Sequence, residues 1–295
     1  AQERDISLEL RFSRTKAMEI YKNGVRQKRQ SDTQGLLKTV LFCPEDLMLV
    51  RAGAAARRRF LDTALCQMRP NYARYLEEYN RLHEHKTRIL RDSEEKPSLL
   101  SMWEDFSLRM AHIGAQIIRY RAYYCRKLLK AAAAVYADIA PHEVLSGVYK
   151  TVSSVSDPFA DARTIEKQLI DHVFSHKTAE IAAKSCLSGP HKDDLELLLD
   201  GRSAASFGSQ GQVRTCTLSL KLAERELFFD EDGEYPGLLL DDVLSELDRR
   251  RQDFVLNRIS AGQVMITCCE DGISEKLRAG AVFHIQNGEK SAETH

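Results

Sequence analysis

The sequence lacks several features that would assign it at once to a familiar class of protein. Nowhere in its 295 residues is there a run of about eighteen apolar residues, so we expect no membrane-spanning helix. No cysteine pair has the CxxC spacing. His172 and His176 are four residues apart, but no glutamate follows the first of them, so there is no HExxH motif; both observations argue against the common zinc sites. The seven scattered cysteines indicate reduced thiols and therefore a cytoplasmic protein.

A second absence concerns nucleotide binding. The sequence contains no phosphate loop of the form GxxxxGK[ST], although other parts of a nucleotide site are present. The chain also begins at Ala1 without an initiator methionine or a signal-peptide pattern, and we expect a truncated start.

Basic and acidic residues are equal in number but unevenly distributed. Residues 51–184 hold 22 basic and 16 acidic residues, whereas residues 185–295 hold 12 and 20. Between Phe106 and Ala137 there is no acidic residue, and tyrosines are interleaved with arginines and lysines. Because cations neutralise phosphates and aromatic rings stack on bases, this stretch predicts contact with DNA. The alternative is an amphipathic helix with a solvated basic face. The candidate DNA-binding residues are Arg57, Arg58, Arg119, Arg121, Arg126 and Lys127.

Sequence periodicity divides the chain into two lobes. Residues 1–50 alternate polar and apolar side chains around Asn23-Gly24 and predict an antiparallel sheet that includes Thr39–Phe42. Residues 51–184 predict an inserted, mostly helical lobe II. Residues 185–295 return to alternating strands and helices, which implies a largely parallel sheet and completes lobe I with residues 1–50. The pattern predicts helices at 57–90 with a break at Pro70, 99–139, 164–184, 211–229, 246–260 and 273–278, and strands at 142–155, 195–199, 237–240, 263–267 and 281–286.

Paired carboxylates end one of the predicted strands. Asp241 and Asp242 follow the apolar run Gly237–Leu240. At the carboxyl edge of a parallel sheet, one carboxylate can hold Mg²⁺ and a neighbouring one can orient or deprotonate an attacking water. An acidic turn after a buried strand is the plainer interpretation.

A polar turn precedes this strand by about 30 residues and opens a long helix. Ser209 is a good N-cap, and Gly211 lets the backbone approach a ligand closely. Free N–H groups and the helix dipole make such a helix start an anion site. Ordinary helix capping explains an isolated turn of this kind equally well.

The order of these motifs resembles that of ATP-binding-cassette ATPases. Ser209, Gln210, Gly211 and Gln212 look like the signature turn, Asp241-Asp242 like the Walker B end, and the segment from Ser245 to Asp248 like the D-loop. With GPHKDDL (189–195), FCPEDLMLV (42–50), RRRFLD (57–62) and LLLDDVLSELD (238–248), the chain resembles the RecF family, which is related to structural-maintenance-of-chromosomes proteins. This resemblance implies an α/β fold: an ABC-type ATPase core, with a mixed sheet and flanking helices, plus a mostly helical inserted lobe.

The resemblance also implies a function and its ligands. ATP and Mg²⁺ would be the cofactors, with Asp241 near the metal and Asp242 near the attacking water. The nucleotide-binding residues would be Ser209, Gln210, Gly211, Gln212, Ser245 and Asp248, and the signature turn would meet the ATP of a second subunit. About 80 N-terminal residues that include the phosphate loop would be missing, so this chain alone would be inactive. The intact protein would be a weak DNA-dependent ATPase that dimerises with ATP on DNA junctions or gaps. It would act with RecR and RecO in recombinase loading, fork restart and SOS induction.

Two departures and three alternatives accompany this interpretation. Asp242 stands where many cassette ATPases have glutamate, and the strand 263–267 is not followed by histidine, so both features favour slow hydrolysis. A transporter-type nucleotide-binding subunit is one alternative, although the long basic insertion argues against it. A metal nuclease using Asp193, Asp194, Asp241 and Asp242 is another, and a purely structural scaffold would leave the spacing within 207–251 unexplained.

Overall fold

The computed structural model describes residues 5–15, 17–28, 32–152, 155–269, 280–286 and 289–290. The strands are β1 (Leu8–Arg11), β2 (Glu19–Lys22), β3 (Val25–Arg26), β4 (Thr39–Phe42), β5 (Leu145–Lys150), β6 (Asp194–Leu199), β7 (Arg202–Ser203), β8 (Gly237–Asp241), β9 (Val264–Thr267), β10 (Ile285–Gln286) and β11 (Glu289–Lys290). The helices are α1 (Ala54–Met68), α2 (Pro70–Asp92), α3 (Trp103–Ile139), α4 (Ala162–Ser175), α5 (Lys177–Ala183), α6 (Ala204–Phe207), α7 (Gln210–Asp232) and α8 (Arg249–Arg258).

A small parallel sheet carries the predicted Walker B strand. Its order is β4-β8-β9, with Phe42 opposite Leu240 and Asp241 opposite Thr267. The prediction of a parallel sheet in the last third is confirmed for β8 and β9. The prediction that Thr39–Phe42 belongs to the antiparallel sheet is wrong, because β4 pairs in parallel with β8. Consequently the carboxyl ends of three strands meet at one edge.

The antiparallel parts of the fold lie outside this sheet. β1, β2 and β3 form a meander whose hairpin turns at Asn23-Gly24, where both residues have positive φ (50° and 77°), as the sequence predicts. β5, β6 and β7 form a second sheet, in which Leu145 lies opposite Leu199. Thus β5, from the predicted lobe II, pairs with β6 from the predicted lobe I.

The helical segments largely follow the sequence pattern. Proline at position 70 separates α1 from α2, as predicted, and α3 runs for 37 residues until Ala140-Pro141, where proline disfavours helix in the residue before it. The predicted single helix at 164–184 is instead two helices that meet at His176. The predicted helix at 273–278 lies outside the described residues, and from the predicted strand at 281–286 only Ile285–Gln286 is strand.

Two hydrophobic clusters hold these elements together. The larger one packs α1–α4 against β5, β6 and one side of α7. The smaller one packs α7 and α8 against the parallel sheet, and it also contains Val135 and Ile139 from the end of α3. Helix α7 therefore lies between the two clusters, and most of its residues are buried. The long helix α3 reaches both clusters as well.

Candidate functional site

The carboxyl edge of the parallel sheet positions the predicted Walker B carboxylates. Asp241 is exposed at the end of β8, and the hydroxyl of Thr267 on the neighbouring strand donates to its Oδ1 over 2.6 Å. The same hydroxyl accepts from the backbone N–H of Asp242 over 3.0 Å. Thr267 therefore fixes both acidic residues, although the sequence offered no motif for it. Its only signal was its place at the end of the next apolar strand.

Asp242 begins the turn that leads to the D-loop. Its φ of 50° lies in the left-handed region, where residues other than glycine are uncommon. The hydroxyl of Ser245 donates to the Asp242 carbonyl over 2.7 Å and lies 3.2 Å from its Oδ1. The segment after the Walker B strand is thus held against the second carboxylate.

Among the described residues, the oxygen atoms at this edge of the sheet are suited to binding Mg²⁺. The exposed Asp241 carboxylate and the Thr267 hydroxyl are hard oxygen donors, and Mg²⁺ is commonly bound by one or two carboxylates plus substrate phosphates. Within the part of the chain that the structure describes, no group of three or more His, Cys, Asp or Glu residues could hold a metal alone. When bound with nucleotide, Mg²⁺ would neutralise charge on the phosphate oxygens.

The signature-like turn has the geometry of a well-formed helix start. The Ser209 hydroxyl accepts from the N–H of Gln212 over 3.2 Å, and the Gln212 Oε1 accepts from the N–H of Ser209 over 2.8 Å, which closes a capping box. Ser209 and Gln210 are exposed. The start of this 23-residue helix is therefore exposed at Ser209 and Gln210, where an anion carried by another molecule can approach it.

The D-loop-like segment is bound to this turn by arginines. Asp248 caps α8 by accepting from the N–H of Arg251 over 2.9 Å and also pairs with that side chain. Arg251 then donates to the Gly211 carbonyl over 3.1 Å and to the Thr215 hydroxyl over 2.9 Å. Arg214 on α7 pairs with Glu246 over 2.9 Å. These arginines, missed at the level of sequence, link the turn to the residues that follow the Walker B strand.

The candidate DNA-binding residues have very different environments. Arg121 is only 3% exposed; it donates to both oxygens of the Asp62 carboxylate over 2.9 Å and to the Pro190 carbonyl over 2.7 Å. A buried, fully paired guanidinium cannot contact phosphate, so Arg121 is withdrawn from the predicted DNA-binding set. The described structure explains it as a structural cation.

Two further arginines of that set are engaged in contacts within the protein. Arg57 forms a bidentate pair with Asp194 over 2.7 and 2.8 Å, and Arg58 donates to the Asp193 carbonyl over 2.7 Å. Arg119 is half-buried. By contrast, Arg126 and Lys127 are exposed on α3, and the Arg126 guanidinium lies over the Tyr123 ring, 4.9 Å from its centroid. Of the six predicted residues, these two are the most accessible.

A cleft of about 490 Å³ lies beside the exposed basic residues of α3. Its lining combines tyrosines with lysines, with Asp230 and with the Arg69–Glu231 ion pair. Tyr123, which lines it, is 40% exposed. Rings and ammonium groups in one cleft suit the bases and phosphates of a nucleic acid.

The loop before β6 contains buried side chains that contact residues of α2, α3 and β5. Burial raises the pKa of Asp193 to about 6, although its carboxylate accepts from Tyr149 and faces Arg121 at 3.6 Å. Burial also lowers the pKa of His191 to about 3, and its ring is bonded to the Tyr79 hydroxyl. Asp193 and Asp194 precede or begin β6, in a different sheet from Asp241 and Asp242. The described structure therefore does not support the four-aspartate nuclease arrangement.

The parallel sheet ending in carboxylates, the capped signature turn and the inserted helices together define an ABC-type ATPase fold. Comparison with known proteins narrows this class. Proteins described as DNA replication and repair protein RecF match from Clostridium tetani, at 34% identity over 98% of this chain and 79% of theirs, and from Bacillus cereus, at 38% over 98% and 78%. A third, from Acetivibrio thermocellus, matches at 33% over 90% and 72%. The chain belongs to the RecF family.

Solved structures agree with this assignment. A structure described as the recombination mediator protein RecF-ATP in the RecFOR pathway superposes with a TM-score of 0.87 at 30% identity, covering 97% of this chain and 76% of the other. One described as RecF-ATPrS gives 0.86 at 29% over the same shares. A scan against protein-family models found no match. Both the RecF resemblance and the predicted fold class are thereby confirmed.

Proposed function

We propose that this chain forms part of an ATP-dependent DNA-binding protein of recombinational repair and replication-fork restart. ATP and Mg²⁺ would bind between two copies, and closure of the dimer on DNA would precede recombinase loading with RecR and RecO. SOS induction would follow from the same activity. Such a role on chromosomal DNA places the protein in the cytoplasm.

The accessible signature turn carries this proposal. Ser209 and Gln210 are exposed at the start of α7, while the turn behind them is bonded to the D-loop through Arg251. An exposed but internally fixed helix start suits the γ-phosphate of a nucleotide held by a second subunit. Asp241 would then lie near Mg²⁺ and Asp242 near the attacking water, and turnover would be slow.

A charge placed in the turn tests the dimer. In the full-length gene product, Ser209→Arg is expected to remove ATP-dependent dimerisation on a sizing column, because the guanidinium blocks the helix start. The monomer should still fold, since Ser209 is exposed. Ser260→Arg, at an exposed position after α8, is the matched control. Unchanged dimerisation of the Ser209 variant would contradict the proposal.

DNA binding separates this function from that of a transporter-type subunit. The exposed Arg126 and Lys127 lead us to expect binding to single/double-strand junctions and gapped DNA that weakens steeply with salt concentration. A transporter-type subunit should show no such slope. Within the described residues, no helix is long and apolar enough to cross a membrane.

A further inference from the structure

A glutamate in the turn after α3 touches the signature turn. The Gln212 Nε2 donates to the Glu143 Oε1 over 2.9 Å, and the Tyr136 hydroxyl donates to the other oxygen of the same carboxylate. Tyr136 belongs to the last turns of α3 and is buried. Glu143 therefore accepts one hydrogen bond from the start of α7 and one from the end of α3.

This contact determines how the Gln212 amide is oriented. Its oxygen accepts from the N–H of Ser209, which closes the capping box, while its nitrogen donates to Glu143. If the amide were reversed, its oxygen would face the Glu143 carboxylate and its nitrogen would face the N–H of Ser209. Glu143 thus favours the orientation that lets Gln212 cap α7.

The same end of α3 is also bonded to α8. The Arg250 guanidinium donates to the Ile139 carbonyl over 2.7 Å, and Arg258 pairs with Asp138. The last turn of α3 and the turn after it therefore contact both the helix that opens at the signature turn and the helix that follows the D-loop.

The exposed basic residues lie on this helix, a short distance before these contacts. At 1.5 Å per residue, Lys130 precedes Tyr136 by about 9 Å along the axis of α3. The helix is continuous over Trp103–Ile139, so its basic section and its end belong to one uninterrupted element.

We propose that Glu143 is a positioning residue for the signature turn, which it couples to the basic helix α3. The structural part rests on the contacts above. The consequence for nucleotide binding rests on the proposed function, because Ser209 and Gln210 would meet ATP only in the dimer. Glu143 itself need not touch the nucleotide.

Hydrogen exchange tests the positioning role without nucleotide. In the full-length gene product, Glu143→Ala should raise amide exchange across residues 209–214 severalfold, since a charged acceptor that orients the cap is lost. Glu143→Gln, which keeps an acceptor oxygen, should restore most of the protection. Glu104→Ala, at an exposed glutamate in the first turn of α3, is the matched control and should change nothing there.

A double-mutant cycle tests the consequence for dimerisation. Glu143→Ala and Gln212→Ala should each weaken the ATP-dependent dimer by about tenfold. The double variant should be no weaker than Gln212→Ala alone, because Glu143 acts on the turn through Gln212. Additive losses, or unchanged exchange at 209–214, would overturn the inference. If the unaltered protein does not dimerise with ATP, the proposed function fails and the exchange experiment alone decides the role of Glu143.

Discussion

The Arg251 guanidinium donates to the Gly211 carbonyl over 3.1 Å and so joins the helix that follows the D-loop-like segment to the turn that opens α7. The same side chain donates to the Thr215 hydroxyl over 2.9 Å and pairs with Asp248. One arginine thus connects two motifs that are about 40 residues apart in sequence.

Arg251→Ala is expected to lower the free energy of unfolding by about 1 to 3 kcal/mol, since several hydrogen bonds are lost at partly buried acceptors. Urea titration measures the change. Arg249→Ala, at an exposed residue of the same helix, is the control and should shift stability by less than about 0.5 kcal/mol. Equal effects of the two variants would show that the contacts of Arg251 contribute nothing specific.

Replacement of Arg121 should lower the stability of the protein, whereas replacement of Arg126 should lower its affinity for DNA. Arg121→Met leaves the carboxylates of Asp62 and Asp193 without their cation in a buried site, and about 3 kcal/mol of stability should be lost. Arg126→Met should leave the unfolding midpoint unchanged but lower the slope of log affinity against log salt by about 0.9. A stable Arg121 variant with impaired DNA binding would reverse our assignment.

Thr267→Val tests the link between β9 and the carboxylates. Loss of the hydroxyl bond to Asp241 should raise the Mg²⁺ concentration needed for half-maximal ATP-dependent dimerisation by about fivefold, equivalent to roughly 1 kcal/mol. Thr267→Ser keeps the hydroxyl and should behave like the unaltered protein. An identical Mg²⁺ titration for the valine variant would exclude a role for Thr267 at the metal.

Glu224 should make stability depend on pH. Burial raises its pKa from 4.5 to about 7, with Lys221 the main favourable charge. The folded protein therefore binds more protons than the unfolded chain between these values, and this group lowers stability as the pH rises from about 4.5 to 7. Glu224→Gln should remove that contribution. The free energy of unfolding of the variant, relative to that of the unaltered protein, should therefore increase by about 2 to 3 kcal/mol between pH 5 and pH 8.

Urea unfolding of both proteins at the two pH values measures this difference. Glu226→Gln, two residues away on the same helix and half-buried, controls for loss of charge. Parallel pH curves for the glutamine variant at 224 and the unaltered protein would contradict the raised pKa.

Local signals explain why some elements were predictable. The Asn23-Gly24 hairpin needs two consecutive residues with positive φ, and asparagine followed by glycine is the pair that most readily adopts this conformation. The strand Gly237–Asp241 was predictable because its apolar run is short and is bounded by glycine and aspartate. The partner of β4 was not, since four residues do not specify which strand about 200 positions away will pair with them.

At the candidate site too, residues with a local signal were predicted and residues that act through distant contacts were not. Ser209 was identified as a helix cap because N-caps have a strong local preference, whereas Asp248 was predicted only from its place in the D-loop-like segment. Arg121 was misassigned because the charge count ignored its neighbours: Ile117, Ile118 and Cys125 lie one turn away and are all buried. Thr267, Glu143 and Arg251 act through contacts between distant segments, which no single-sequence pattern records.

Pairing of β5 with β6 has a practical consequence for dissecting the protein. A cut between 184 and 185 would leave strand 145–150 with an open edge and would expose Leu145 and Tyr149, both now buried. An unpaired strand edge promotes aggregation, because it can pair with a strand of another chain. Residues 51–184 therefore cannot be excised as an independent unit. A chimera made between relatives must take residues 145–199 from one parent.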